Sequence, residues 1–315
     1  MVGIIKPLGN FLFLLNDRIR LIGGATALFA VHCELCITYA KSARALGCAE
    51  SNYRDFVQGK RSYSLGFLKK FCNVFGPSNL LEIIFNQDLL FTARSVRVSL
   101  PKKLNVDFAY FLGYLYGDGY VCSDGKRIEF VDEDRCQIEA VGRIAKRLFM
   151  VEPRIYERWN ENSKKPVFKL TLSCRPLNDY LSAVFGIKKG VKEGLSIPKQ
   201  VLENMELLRW YLRGLFDADG TLPKNPEKAK QLFIDIALKD LSFINQIKVA
   251  LETFGVTTLA PYARHSFSPA TGRPCVTWEL RIRRKGQIVR FLEQIGFVHQ
   301  LKKERQENLL VMVGR

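Results

Sequence analysis

Beyond Leu100 the apolar positions of the chain fall at helical spacing in some segments and at alternating spacing in others, and the order of these segments is written twice. The first copy opens with an apolar helix, Phe108 to Tyr116, that runs into Gly117-Asp118-Gly119. A short strand around Tyr120, a turn at Ser123-Asp124-Gly125 and a strand from Arg127 to Val131 follow. Ile138, Val141, Ile144, Ala145 and Leu148 then share one face of a helix from Asp134 to Phe149. Strands Arg154 to Trp159 and Val167 to Ser173 flank a polar turn, and a helix from Pro176 to Phe185 closes the copy.

A Gly- and Lys-rich connector, Gly186 to Pro198, and an amphipathic approach, Lys199 to Leu208, lead to the second copy. Its helix Trp210 to Phe216 reaches Asp217-Ala218-Asp219-Gly220, and strand Gln231 to Ala237 follows. Helix Leu241 to Phe254, strands Leu259 to His265 and Val276 to Arg283, and helix Gln287 to Ile295 complete it. Both copies are read as one underlying order, α-β-β-α-β-β-α, although no segment is assigned to the first strand of the second copy. The expected fold is α+β, with two pseudo-symmetric halves at 101–190 and 191–300 and a C-terminal tail at 301–315.

Residues 1–100 belong to neither copy and read as a small all-α domain. Ile37 to Leu46, a break at Gly47-Cys48, and Ala49 to Gln58 fit two helices joined by a tight turn, with Gly59-Lys60-Arg61 ending the second and Ser64 capping a further helix through Phe75. The segment looks like a repressor-type helix-turn-helix. That resemblance puts Ser51, Asn52, Arg54 and Asp55 on a recognition helix, with Lys60 and Arg61 on phosphates. The apolar stretch Leu21 to Ala40 is interrupted by Gly23, Gly24, His32 and Glu34, which favours a core helix over a membrane span. Met1 to Asn10 has no secretory-signal pattern, so a cytoplasmic protein is expected, nucleoid-associated when bound to DNA.

Charge changes the picture most: 48 Lys plus Arg against 31 Asp plus Glu give a net +17. Such a surplus favours a polyanionic partner, with salt-dependent binding through counterion release. Hydrophobic residues at 47% are ordinary for a globular chain, so disorder is not expected outside the two ends. The eight cysteines are scattered singly and read as reduced thiols. Cys33-x-x-Cys36 has no second pair at zinc-site spacing, so small buried side chains account for it better than a metal.

The candidate chemistry lies in Leu112 to Gly119, L-G-Y-L-Y-G-D-G, and Leu212 to Gly220, L-R-G-L-F-D-A-D-G. Gly113 with Gly117, and Gly214 with Ala218, give each helix a smooth stripe along which two helices can pack closely. Parallel packing would bring Asp118 beside Asp219, 101 positions away, at the negative ends of two helix dipoles. Two such carboxylates call for a cation, and Mg²⁺ with Mn²⁺ as a substitute suits hard oxygen donors. A divalent ion held over a phosphodiester supports hydrolysis.

These paired motifs resemble the LAGLIDADG homing endonucleases in their single-chain, two-motif form, over roughly residues 105–300 and including the phrase F-L-E-Q-I-G-F at Phe291 to Phe297. The resemblance implies that Asp118 and Asp219 are catalytic metal ligands, and that four strands per half form a saddle over duplex DNA. It also implies a staggered double-strand break at a long site, with Asp217 capping or packing rather than binding metal. Lys239 fits the position of an assisting basic residue in the second half. The matching segment of the first half is acidic, Val131-Asp132-Glu133-Asp134, which leaves Lys126 or Arg127 to reach in from the preceding turn. Expected DNA contacts are Lys126, Arg127, Arg154, Tyr156, Arg158 and Lys169 in the first half and Arg264, His265, Arg281 and Arg283 in the second. Alternatives are a DNA-binding regulator that has lost catalysis, and an RNA maturase acting on intron RNA. Intein splicing is set aside, because the chain begins Met1-Val2 and ends Val313-Gly314-Arg315 without the residues that splicing needs. Two halves in one chain imply a monomer with internal twofold pseudosymmetry, and no membrane partner is expected.

Overall fold

The computed structural model describes residues 3–4, 19–22, 25–76, 90–93, 96–101, 103–159, 166–190, 192–267, 272 and 274–314. Most of Met1 to Asn10, where a signal was considered, lies outside them. The duplicated order of elements is present in full. The first half consists of α5 (Val106–Gly117), β7 (Tyr120–Val121), β8 (Arg127–Asp132), α6 (Arg135–Phe149), β9 (Arg154–Arg158), β10 (Val167–Ser173) and α7 (Arg175–Phe185). After a short helix, α8 (Lys199–Leu202), the second half repeats it with α9 (Met205–Asp219), β11 (Gly220–Thr221), β12 (Ile234–Leu238), α10 (Leu241–Glu252), β13 (Tyr262–Phe267), β14 (Pro274–Ile282) and α11 (Lys285–Gln294).

Each half forms a four-stranded antiparallel sheet with the same order, β7-β8-β10-β9 and β11-β12-β14-β13. Strand alternation sorts the faces. Ile128, Phe130, Leu170 and Leu172 of the first sheet, and Ile234, Ile236, Leu280 and Ile282 of the second, are buried against the helices. Between them lie positions such as Arg127, Glu129, Lys169, Asp235, Glu279 and Arg281, which point to the opposite face. The helix that follows the second strand of each half starts from an aspartate cap. Asp134 accepts from Cys136 N at 2.9 Å and Asp240 from Phe243 N at 3.1 Å.

Two expectations need correction. The tail at 301–315 is in the described structure a helix, α12 (Gln300–Val313), whose Leu309 and Val313 are buried. The N-terminal region is not all-α. Its helices α1 (Ala25–Glu34), α2 (Tyr39–Ala45), α3 (Glu50–Val57) and α4 (Leu65–Phe75) accompany an antiparallel sheet of β2 (Arg20–Ile22), β3 (Tyr63–Ser64), β4 (Leu90–Ala93) and β5 (Val96–Ser99), ordered β3-β2-β4-β5. The reason is visible in V-R-V-S at Val96 to Ser99, where β-branched residues alternate with polar ones and so suit a strand. Two further short strands, β1 (Gly3–Ile4) and β6 (Lys103–Leu104), pair with each other.

The two short helices expected on either side of Gly47-Cys48 are α2 and α3. Thr38 caps α2 by accepting from Lys41 N, Gly47 turns the chain with φ 59°, and Tyr53 and Val57 of α3 are buried. Ser64 caps α4 by accepting from Phe67 N at 3.1 Å, and Gly76 ends it in the left-handed conformation.

Candidate active site

Helices α5 and α9 meet at the distance of their own backbones. A Cβ placed on Gly113 would lie 1.9 Å from the carbonyl oxygen of Tyr211, and one on Gly214 would lie 2.1 Å from that of Tyr110. One turn further along, a Cβ on Gly117 would lie 2.4 Å from Cβ of Ala218 and 3.2 Å from Oδ2 of Asp219. The near-equal clearances on the two sides express the internal twofold. Only glycine at 113 and 214 permits this approach, and the approach brings the C-terminal ends of both helices together.

Asp118 ends α5 as its cap residue and Asp219 is the last residue of α9. Burial, then the facing Asp219, then Asp132 push the Asp118 carboxyl up to about 7, against the pull of Lys302 and Lys192. Burial also raises Asp219, again opposed by Lys192 and Lys302. A mostly enclosed pair of carboxylates offers the hard oxygen donors that a divalent cation takes. Among the described residues no group of three or more His, Cys, Asp or Glu side chains is arranged to hold a metal ion. The protein's side-chain donors at such an ion would therefore be the two aspartates, and oxygen ligands from backbone, water or phosphate would complete the shell.

The cations that bear on this pair are Lys192 and Lys302, which sequence reasoning missed. Lys192 Nζ donates to the carbonyls of Tyr116, at 3.2 Å, and Gly117. Lys302 Nζ donates to those of Phe216 at 3.0 Å, Asp217 at 2.6 Å and Ala218 at 2.9 Å. Each ammonium thus seats on the terminal carbonyls of one motif helix, the end where the dipole favours positive charge. The sequence signal was slight: in both copies a lysine follows the closing helix, after Phe185 in one and after Gln294 in the other.

Lys239 is placed differently from expectation. It is exposed beyond the end of β12 and is not among the groups acting on Asp118 or Asp219. Nor do Lys126 and Arg127 reach in. Both are exposed, Lys126 Nζ lying 3.9 Å from Asp124 and Arg127 3.7 Å from Glu129.

Within the acidic segment of the first half, Asp132 turns inward. Asp132 accepts from Tyr114 Oη and from Asp134 N, both at 2.8 Å, and lies 3.5 Å from His299 Nε2. Burial works against its charge, but the hydrogen bonds from His299, Asp134 and Tyr114 hold it below the ordinary carboxylate range. His299, buried just before α12, thereby ties the end of the second half to the first.

Asp217, fully buried, accepts from Tyr110 Oη at 2.8 Å, Val298 N at 3.1 Å and His299 N at 3.1 Å, and so packs and caps as expected. Burial raises its carboxyl despite these donors. Gln137 in turn donates to Tyr110 Oη at 2.9 Å.

On the open face of the second sheet, Arg281 is enclosed. Its Nε and a terminal nitrogen lie 3.2 and 3.0 Å from Asp235 Oδ2, the same nitrogen also meets Glu279, and its guanidinium stacks 4.6 Å from the Phe233 ring centroid. Tyr262 Oη donates to Glu279 as well. Burial and the adjoining Glu279 raise Asp235. Burial disfavours the Glu279 charge too, but hydrogen bonds from Tyr262, Asp235 and Arg281 hold it below its usual range. Arg264 remains exposed near Glu279, at 3.9 Å, and Arg283 is exposed just past the end of β14. In the first half, Lys169 pairs with Glu129 at 2.6 Å, while Arg154, Tyr156 and Arg158 are exposed along β9. Farther off, Arg54 pairs with Glu50 at 2.5 Å, Arg61 donates to Asn52 Oδ1 at 2.8 Å, and Lys60 is exposed.

A family model described as a LAGLIDADG-like domain matches residues 105–184 and 206–296, the two halves traced above. The chain belongs to the LAGLIDADG-like domain family. Curated relatives include a glutamine–fructose-6-phosphate aminotransferase of Methanocaldococcus jannaschii, 28% identical over 77% of this chain and 20% of its own length. Another is a replication factor C small subunit of Thermococcus kodakarensis, 27% identical over 64% of this chain and 21% of its own. The chain thus spans about a fifth of these relatives. Solved structures similar to it include the homing endonuclease I-DmoI in complex with DNA and Mn, at 18% identity and TM-score 0.42, covering 61% of this chain and 98% of that one. Full-length WhiA from Thermatoga maritima is similar at 18% identity and TM-score 0.44, covering 66% and 60%. Among the described residues of this LAGLIDADG-like protein, no helix is long and apolar enough to cross a membrane.

Proposed function

We propose that this protein is a site-specific DNA endonuclease that makes a metal-dependent staggered break, aided by its helix-turn-helix segment. The observation that carries the reading is the glycine contact of α5 with α9, which brings together the helix ends that carry Asp118 and Asp219. Asp118 and Asp219 would hold Mg²⁺, or Mn²⁺ in its place; the ion would activate water and stabilise the charge on the phosphate in transition. The residues of the chain do the rest. The open face of the first sheet carries Arg127, Arg154, Arg158 and Lys169 against Glu129, a basic surplus suited to a phosphate backbone, and that of the second carries Arg264 and Arg281 beside Asp235 and Glu279. Arg54, Lys60 and Arg61 would extend the contact from the N-terminal region.

Incubating the purified protein with a randomised duplex library in Mg²⁺ and in Ca²⁺, and sequencing bound and cut ends separately, tests this. Cut ends with a fixed stagger that require Mg²⁺ are expected. A second reading, a DNA-binding regulator without cleavage, is favoured by Asp132, an acid fastened by Tyr114 and His299 where an assisting base was sought. Enrichment in the bound pool without cutting would establish the regulator instead.

A further inference from the structure

Two half-buried carboxylates brought together at the negative ends of two helices would repel unless something positive lay among them. In this chain something does. Lys192 arrives from the connector between the halves and Lys302 from α12, and each places its ammonium on the last carbonyls of one motif helix. Lys192 acts electrostatically on both Asp118 and Asp219, and Lys302 acts on Asp118, Asp219, Asp132 and Asp217. Taking a lysine ammonium out of water is unfavourable unless charge and hydrogen bonds meet it, and both are present for each. The arrangement repeats across the pseudo-twofold although the two lysines come from segments of unrelated sequence, G-I-K-K-G-V-K and H-Q-L-K-K-E.

We infer that Lys192 and Lys302 are the resident counter-cations of the motif pair: they allow α5 and α9 to close without a divalent ion, and an ion that enters must share the aspartates with them. The consequence concerns metal linkage in the absence of DNA, so it stands apart from whether the protein cleaves. An ion that binds only the native state raises the melting temperature according to its affinity. With the lysines in place that rise is small; without one of them the unbalanced carboxylates bind the ion more tightly and the rise is large.

The experiment is thermal melting of the full chain without DNA, at constant ionic strength, in EDTA, Mg²⁺ and Ca²⁺, with calorimetric titration of Mg²⁺. The variants are Lys192→Met, Lys302→Met and the exposed control Lys126→Met. The wild type and the control should melt at nearly the same temperature with and without metal. Lys192→Met and Lys302→Met should melt lower in EDTA, recover in Mg²⁺ or Ca²⁺, and bind Mg²⁺ roughly tenfold more tightly or better. Should a single variant fail to fold, Asp118→Asn/Lys192→Met and Asp219→Asn/Lys302→Met restore the balance by removing one charge of each sign. These should fold and show no metal response. A loss of stability that neither metal nor the paired asparagine repairs would mean the lysines act only as helix caps and would overturn the inference. So would a wild type stabilised by Mg²⁺ as strongly as the variants.

Discussion

Tyr116 and Asp217 occupy the same position of the two motif helices, 101 residues apart, and fasten the ends of their halves with opposite polarity. Tyr116 donates its hydroxyl to the carbonyl of Phe185 at 2.8 Å. Asp217 instead accepts the amides of Val298 and His299. The duplicated scaffold keeps the location of the bond and changes its chemistry. Removing Asp217 therefore strands the Tyr110 hydroxyl and two amides in a buried place.

Asp217→Ala should lower stability by about 3 kcal/mol or more, since each buried donor without a partner costs roughly 1–3 kcal/mol. Asp217→Asn, which keeps an acceptor oxygen, should lose less. Urea unfolding followed by circular dichroism measures both, and a loss below about 1 kcal/mol for the alanine would show the donors find other partners.

Gly113→Ala and Gly214→Ala should each destabilise by at least about 3 kcal/mol, because the added methyl meets a backbone carbonyl rather than a side chain that can turn aside. Gly286→Ala, where nothing lies within 4 Å, is the control and should be neutral or stabilising. Equal melting of all three would contradict the close contact of α5 and α9.

Asp118→Asn and Asp219→Asn should abolish cleavage in Mg²⁺ while leaving duplex binding in place, as read by gel shift beside a cleavage assay. Both variants cutting at wild-type rate would remove the aspartates from the chemistry.

DNA binding should tighten as pH falls. Asp235 faces outward from the second sheet and its carboxyl is held above the ordinary range by burial and by Glu279. Protonation removes one negative charge opposite the phosphates, so affinity rises as pH drops through that raised value and falls again above it. Asp235→Asn should bind more tightly at high pH and lose this part of the dependence. Fluorescence anisotropy across pH 6 to 9 provides the check, and parallel curves for the two proteins would refute it.

The duplicated α-β-β-α-β-β-α order and the meeting of Asp118 with Asp219 were legible because they rest on local patterns: apolar periodicity, D-G after a helix, small residues at intervals of four. What escaped depends on contacts across long stretches of chain. Lys302 reaches the carbonyls of α9 from 83 positions beyond Asp219, and nothing in its own neighbourhood marks it apart from other lysines of a basic chain. Lys239 stood at a better position in sequence, yet β12 ends before it and leaves it in solvent. Arg281 was recognisable as outward-facing from alternation alone, whereas its enclosure depends on Asp235 and Glu279 arriving from a neighbouring strand and from its own. The N-terminal sheet was missed because β4 and β5 are short and follow helices whose caps dominate the local signal.

Because α12 carries Lys302 and follows every other element of the second half, the two motif helices leave the ribosome long before the residue that covers the end of the second one. During synthesis the last carbonyls of α9 lack the ammonium that meets them until Lys302 has followed. That delay is written into the order of the chain, which supplies Lys192 before α9 and Lys302 only after it.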